Sequence, residues 1–337
     1  MEKVLNRSKR NWLIGLALIL AMFIMGCQNG PSHADVRAME SWNDTALHQD
    51  ILDYVKYAKD NIPLEERIAV FDMDGTVVCE KPVWIEMNVA LTRMAEDYEN
   101  DKPLMYKKLY AVAYNYITNP SSENWALVED NVKPILMQAF LGESQVDYVA
   151  YAQAFASNTK NKKIDIAIDK TFYKPMVELV DLLKENGFSV YIVSGSEEGL
   201  IWALASDPLG LPRDHLIGTR IMLSADYSNP DVFIRMGETY NPMNLSDGKS
   251  ENIYYELGAR PVFACGNTVD DFAMLNYTTS HPDYETMGLL VHHDSDVKEY
   301  KYEINERHES INWQDVVDEN DWQLISIDKD FKKVFMD

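Results

Sequence analysis

Asp72 and Asp74 stand two residues apart in the stretch Val70-Phe71-Asp72-Met73-Asp74-Gly75-Thr76, directly after an apolar run. Carboxylates this close raise each other's pKa unless a cation sits among them, so the pair suits proton transfer or the holding of a hard divalent ion. Other polar groups end later apolar runs: Ser194, Gly195 and Ser196 follow residues 188–193, and Asn267, Asp270 and Asp271 follow residues 261–264. Lys249 opens a helical pattern just before the last of these runs. A hydroxyl, turn N–H groups and an ammonium are what a phosphate group binds. Carboxylate and carbonyl oxygens are what Mg²⁺ takes.

These groups converge only if neighbouring elements deliver them. Residues 68–71, 188–193, 261–264 and 287–292 are short apolar runs of the kind buried in a parallel sheet. Helical patterns lie between them: residues 176–184 closed by Asn186-Gly187, about 197–205, and 249–257 ending at Gly258. Strand-like runs at residues 216–223 and 232–235 precede the loop 241–248. An earlier helix, capped by Asn43 or Asp44, carries Leu47, Ile51, Leu52, Val55 and Ala58 on one side. Between about Lys81 and Asp169 no strand pattern occurs. Aromatic-rich helical stretches at 84–98, 107–117, 123–140 and 145–156 are punctuated by Pro103, Pro120, Pro134 and Gly142. The expectation is an α/β fold, a parallel sheet with helices on both faces, with an all-helical insert after the first strand. Its ligands would bind beyond the carboxyl ends of the strands.

The order of these motifs resembles the haloacid dehalogenase-like phosphohydrolase superfamily, in its phosphoserine-phosphatase-like branch with a helical cap. The resemblance rests on Phe71-Asp72-Met73-Asp74-Gly75-Thr76, on Ser194 after Tyr191-Ile192-Val193, on Lys249 in Asp247-Gly248-Lys249, and on Gly266-Asn267-Thr268-Val269-Asp270-Asp271. It spans roughly residues 66–292 and implies a Rossmann-like core at 43–80 and 168–337 with a cap at 81–167. It further implies Asp72 as the nucleophile of an aspartyl-phosphate mechanism and Asp74 as the acid and base. Thr76, Ser194, Gly195 and Lys249 would bind the phosphoryl group. Mg²⁺ would be held by Asp72, the Asp74 carbonyl and the fourth motif, through Asn267, Asp270 or Asp271. Asn267 departs from relatives that carry an aspartate there. Glu80, Trp84 and Glu86 are the candidates for reading the leaving group, and the cap aromatics form either a cation cage or simply the cap's core. The substrate is a small phosphomonoester, with phosphoserine, phosphocholine and broad specificity all open. The rival reading is a surface protein that keeps the fold and binds without catalysis.

Charge and length limit the alternatives. The 337 residues are 46% hydrophobic and carry a formal charge of −23, with no basic stripe for nucleic acid. Residues 1–27 differ from the rest: Lys3, Arg7, Lys9 and Arg10 precede the apolar stretch 12–25, which ends at Gly26-Cys27. This reads as an export signal of lipoprotein type, with Cys27 acylated and a polar linker at 28–42, placing the protein at a bacterial cell envelope on a lipid anchor. Ser32-His33-Ala34 offers instead a cleavage site that would release a soluble secreted or periplasmic protein. Without residues 1–27 the chain holds 27 Lys and Arg against 53 Asp and Glu, or −26, so anchoring would depend on acyl chains rather than basic residues. Cys79 and Cys265 read as buried small hydrophobes, Glu197 and Glu198 as helix-start acids, and His292-His293 as structural.

Overall fold

The structure, a computed structural model, describes residues 39–101, 106–303 and 312–336. The export signal, Cys27 and all but the end of the 28–42 linker lie outside the described residues. At that linker's end Met39 and Trp42 are buried, and Trp42 bridges the backbone of Phe331.

Six parallel strands form one sheet. β1 (Ile68–Phe71) lies at its centre, between β2 (Ser189–Glu197) and β6 (Phe263–Gly266). β3 (Leu216–Thr219) flanks β2, and β7 (Met287–His292) and β8 (Gln323–Ser326) follow β6. Phe71 pairs with Ile192 on one side and Cys265 on the other, so Ser194 and Asn267 emerge from the flanking strands level with the turn that carries Asp72 and Asp74. β1 has helices on both its faces. Ala69 and Phe71 pack with α1 (Ala46–Asn61) and α7 (Lys174–Glu185), in a cluster that also takes in α8 (Glu198–Leu204), and Ile68 and Val70 pack on the other side with α9 (Asp247–Leu257), α10 (Phe272–Thr279) and α11 (Trp313–Asn320). That alternation explains why β1 reads as a continuous apolar run: both of its faces are covered.

The insert consists of α2 (Ile85–Glu99), α3 (Lys107–Thr118), α4 (Ser122–Glu129), α5 (Val132–Gln138) and α6 (Gln145–Asn158). The stretch 123–140 holds two helices rather than one, because Pro134 sits in the first turn of α5, where its missing N–H costs no hydrogen bond. The aromatics of the insert pair with one another, Phe140 with Tyr148 and Tyr151, Trp125 with Trp84 and Tyr116.

Three further features depart from the sequence expectation. The apolar run 216–223 divides at Arg220, whose guanidinium turns outward to Glu198 and Glu256. Its second half, β4 (Ile221–Ala225), pairs antiparallel with β5 (Phe233–Thr239) in a hairpin outside the main sheet. The hairpin docks on the insert, where Gly142 donates to the Arg235 carbonyl and Arg235 N–H to Glu143. Finally, α1 begins at Ala46 and is capped by Thr45, which accepts from the His48 N–H, while the Asn43 amide donates to the Lys329 carbonyl.

Candidate active site

The turn after β1 is held by its backbone. Asp72 N–H donates to Cys265 O at 2.9 Å, extending the β1–β6 pairing by one residue, and Thr76, Val77 and Val78 all donate to Met73 O. Gly75 has φ +76°, and a Cβ there would lie 1.9 Å from Asn267 Nδ2 and 2.9 Å from a Glu80 oxygen. Glycine is needed on both counts, conformation and space.

Within that frame Lys249 Nζ lies 2.6 Å from Asp72 Oδ1 and 2.6 Å from Asp271 Oδ1, with all three side chains buried. Asp271 also accepts from the backbone N–H groups of Asn267 and Thr268 through its other oxygen, closing a capping box at the start of the helical turn. Asp270 turns away to accept from the Ser246 hydroxyl at 2.6 Å. Thr76 donates to Asp72 Oδ2 at 3.2 Å, and its hydroxyl lies 3.4 Å from Asn267 Oδ1. Burial pushes the Asp72 carboxyl well up, Asp271 pushes it further, and Lys249 partly offsets them. Burial would lower the Lys249 ammonium, but Asp271 and Asp72 raise it above its ordinary value, so it stays charged.

Asp74 faces the other way, toward β2 and the insert. Ser196 Oγ donates to its Oδ2 at 2.8 Å, while Oδ1 is buried and has no partner among the described residues. Burial raises Asp74 to about 6, against the Ser196 hydrogen bond and with help from Glu80. A carboxylic acid poised there can give a proton and take it back near neutral pH. Ser194, buried in β2 just past its pairing with β1, accepts from the Ser196 N–H, and its carbonyl takes the Asn244 amide. Gly195 leaves room for Leu245, whose side chain a Cβ would meet at 2.3 Å, and its carbonyl accepts from Thr219.

Above the crevice, Glu86 in the first turn of α2 is raised to about 8 by burial, then by Glu197 and Asp74, against the pull of Arg235. Arg235 comes from the β5 hairpin, lies over the Tyr148 ring at 3.9 Å, donates to Gln145 at 2.7 Å and pairs with Glu197 at 3.4 Å. Glu80 sits 3.3 Å from Asn267 Nδ2, whereas Trp84 packs edge-on against Trp125.

The sequence reading assigns no role at the site to Ser196, seen only as a polar end to the second run, to Arg235, seen only as the end of a strand-like run, or to His293, read as structural. A signal for Ser196 exists: residues i and i+2 of an extended strand share a face, so Ser194 and Ser196 stand together. No local signal marks Arg235. Of the two adjacent histidines only His293 points inward, Nε2 to the Gly75 carbonyl at 2.9 Å and Nδ1 to Glu299 at 2.5 Å.

The donor set fits a hard divalent cation. Two buried carboxylates, Asp72 and Asp271, share a single ammonium, with the Asn267 amide oxygen close to Thr76, and the upward push on Asp72 is what a further positive charge would relieve. Asp270, committed to Ser246, is the weaker of the two aspartate candidates.

The sequence matches the family described as "haloacid dehalogenase-like hydrolase" over residues 69–276, more than half of the chain. No curated protein matches it. Among solved structures, a protein of unknown function from Anaerococcus prevotii is similar at 16% identity and TM-score 0.49, covering 74% of this chain and 86% of that one. A phosphoserine phosphohydrolase-like protein from Francisella tularensis gives 17% and 0.38, covering 67% and 87%. A probable phosphoserine phosphatase from Vibrio cholerae gives 14% and 0.39, covering 74% and 64%. The family match decides the assignment: the chain belongs to the haloacid dehalogenase-like hydrolases.

Proposed function

We propose that this hydrolase cleaves a small phosphomonoester in two steps. The observation that carries the reading is the pairing of two unlike aspartates on one turn: Asp72 bound by Lys249 and Thr76, and Asp74 raised to about 6 with one oxygen unpartnered. An Asp72 oxygen attacks phosphorus, the bond from phosphorus to the ester oxygen breaks, and the departing alkoxide takes its proton from Asp74. Water then attacks the aspartyl-phosphate, Asp74 takes the water's proton, and the bond from phosphorus to Asp72 breaks, freeing phosphate and the carboxylate. Lys249, Ser194 and the N–H groups after Ser194 stabilise the charge on the transferring group. Mg²⁺, held by Asp72, Asp271, Asn267 and the Asp74 carbonyl, would supply charge neutralisation on the phosphoryl oxygens.

Glu80 acts electrostatically on Asp74, and a carboxylate beside the crevice favours an alcohol that carries an ammonium, as in phosphoserine or phosphocholine. The acylated Cys27 remains part of the reading, with catalysis outside the cytoplasm. Loss of membrane association in Cys27→Ser would support the anchor, and unchanged fractionation would refute it. The activity is tested with p-nitrophenyl phosphate, with Mg²⁺ and with EDTA, in wild type and Asp72→Asn, followed by a panel of phosphoserine, phosphocholine and glycerol phosphate. Metal-dependent turnover lost in the variant is expected. Equal rates in all arms would return the chain to the reading of a non-catalytic binding protein.

A further inference from the structure

A cavity of about 790 Å³ opens where the chain passes between the sheet and the helical insert. Both passages line it: residues 79 and 81–83 on the way out, and residues 159–163, 168 and 171 on the way back. None of Asp72, Asp74, Ser194 and Lys249 lines it, so it is distinct from the crevice described above.

Its composition runs against that of the molecule. The chain has 54 acidic residues against 31 basic ones, yet four lysines, Lys81, Lys160, Lys162 and Lys163, line this cavity and no Asp or Glu does. The remaining wall is largely apolar, with Val83, Ile85, Ile117, Trp125 and Ile168. The basic side is also built rather than loose. Asn161 is buried and donates to the Lys81 carbonyl at 2.8 Å, and Tyr300 donates to Asn161 Oδ1 at 2.9 Å. Lys81 stands over the Tyr302 ring and Lys163 over the Tyr300 ring, which fixes two of the four ammonium groups beside the opening. Two of the lysines pair with exposed carboxylates, Lys160 with Asp165 and Lys163 with Asp296, and exposed pairs of that kind are weak, so a ligand's anion can share or replace them. Lys162 is exposed and has no ion-pair partner among the described residues.

We propose that this cavity is a binding site for an amphipathic anion, an alkyl chain lying against Val83, Ile117, Trp125 and Ile168 with a carboxylate head among the lysines. The volume falls within the roughly 300–1,000 Å³ of small-molecule sites, and a mostly apolar wall with a few convergent polar groups is how such sites are built. The anionic head is required by the lysines, and the chain by the wall.

The test uses the full-length protein and a decanoate analogue bearing a photoreactive diazirine, with labelled peptides mapped by mass spectrometry. Labelling is expected in the peptides that contain Ile117, Trp125 or Ile168. It should be competed by decanoate and not by decyltrimethylammonium, which has the same chain and the opposite charge. The triple variant Lys160→Gln, Lys162→Gln, Lys163→Gln should label about tenfold less. Lys162→Glu, one change at an exposed, unpaired side chain, should label severalfold less and serves if the triple variant does not fold. Inorganic phosphate and Asp72→Asn should leave labelling unchanged, which separates this site from the phosphatase reading whatever the fate of that reading. Equal competition by the ammonium compound, full labelling of the lysine variants, displacement by phosphate, or label confined to other peptides would each overturn the proposal.

Discussion

The floor and the roof of the crevice are built on opposite plans. In the floor, Asp72, Ser194 and Asn267 come from three adjacent parallel strands or the turns that follow them, Asp271 comes from the helical turn after β6, and a single ammonium from α9 sits between two carboxylates at 2.6 Å from each. In the roof, Glu86, Gln145, Glu197 and Arg235 come from α2, α6, β2 and a hairpin outside the sheet, and Arg235 Nε is buried with no partner among the described residues. The floor has the rigidity of hydrogen-bonded strands, which suits chemistry with tight geometric demands. The roof holds buried charge on four elements with separate supports, so its geometry depends on how the insert and the hairpin are seated together.

The sharpest way to break the floor is Asp72→Asn. The amide keeps the shape and cannot form the phosphoryl ester, so turnover should fall by about 10⁴-fold or more, measured as phosphate release. Asp74→Asn should cost less, about 10²–10⁴-fold, because a positioned acid and base is lost while the nucleophile remains. With an activated ester such as p-nitrophenyl phosphate, whose leaving group needs little protonation, the first step survives better than the second. A burst of nitrophenolate with trapped phosphoenzyme is the expected sign. A linear time course without a burst would remove Asp74 from the second step.

The same contrast explains what could be read in the chain. Asp72, Asp74, Ser194, Lys249 and Asp271 were legible because each stands at the end of an apolar run or the start of a helix, and the pairing of β1 with β2 and β6 does the rest. β8 was not, because Gln323–Ser326 is short and only half apolar and gains its strand conformation from pairing with β7. Arg235 was hidden for a related reason. Its neighbours in β5, Phe233 and Met236, are largely exposed, so no alternation marks a buried face, and its partner Glu197 lies 38 positions away. The capping of α1 by Thr45 rather than Asn43 follows from where the helix starts, at Ala46, a boundary that three adjacent polar residues leave open in the sequence.

The roof can be probed through its titration. Glu86 holds its proton to about pH 8 in the folded chain, chiefly through burial, and an unfolded glutamic acid releases its proton near pH 4.3. Between those values the native state binds the additional proton, so stability from this group falls as pH rises and the loss is complete above about 8. Glu86→Gln copies the protonated form. It should match the wild type in Tm near pH 4 and exceed it by a margin that grows toward pH 9, at roughly 2–4 °C for each kcal/mol relieved. A constant difference across pH would mean that Arg235 and solvent already neutralise the group.

The smallest effect is expected where floor and roof are both left intact and only the backbone behind them is loosened. His293 Nε2 donates to the Gly75 carbonyl, and Nδ1 meets Glu299, which also accepts from Tyr173 at 3.0 Å. Since Nε2 faces a carbonyl it must carry a proton, so the ring acts as a fixed strut between the segment after β7 and the turn bearing both aspartates. His293→Ala removes the strut and leaves buried acceptors unsatisfied, a cost of about 1–3 kcal/mol in stability. The turn would relax without losing a reacting group, so kcat should fall by about tenfold with KM little changed, as expected when only the alignment of reacting atoms is lost. His293→Gln keeps a donor toward Gly75 and should recover part of kcat. If alanine and glutamine lose kcat equally while both remain folded, the bond to Gly75 does not align the turn, and the histidine serves packing against Tyr302 alone.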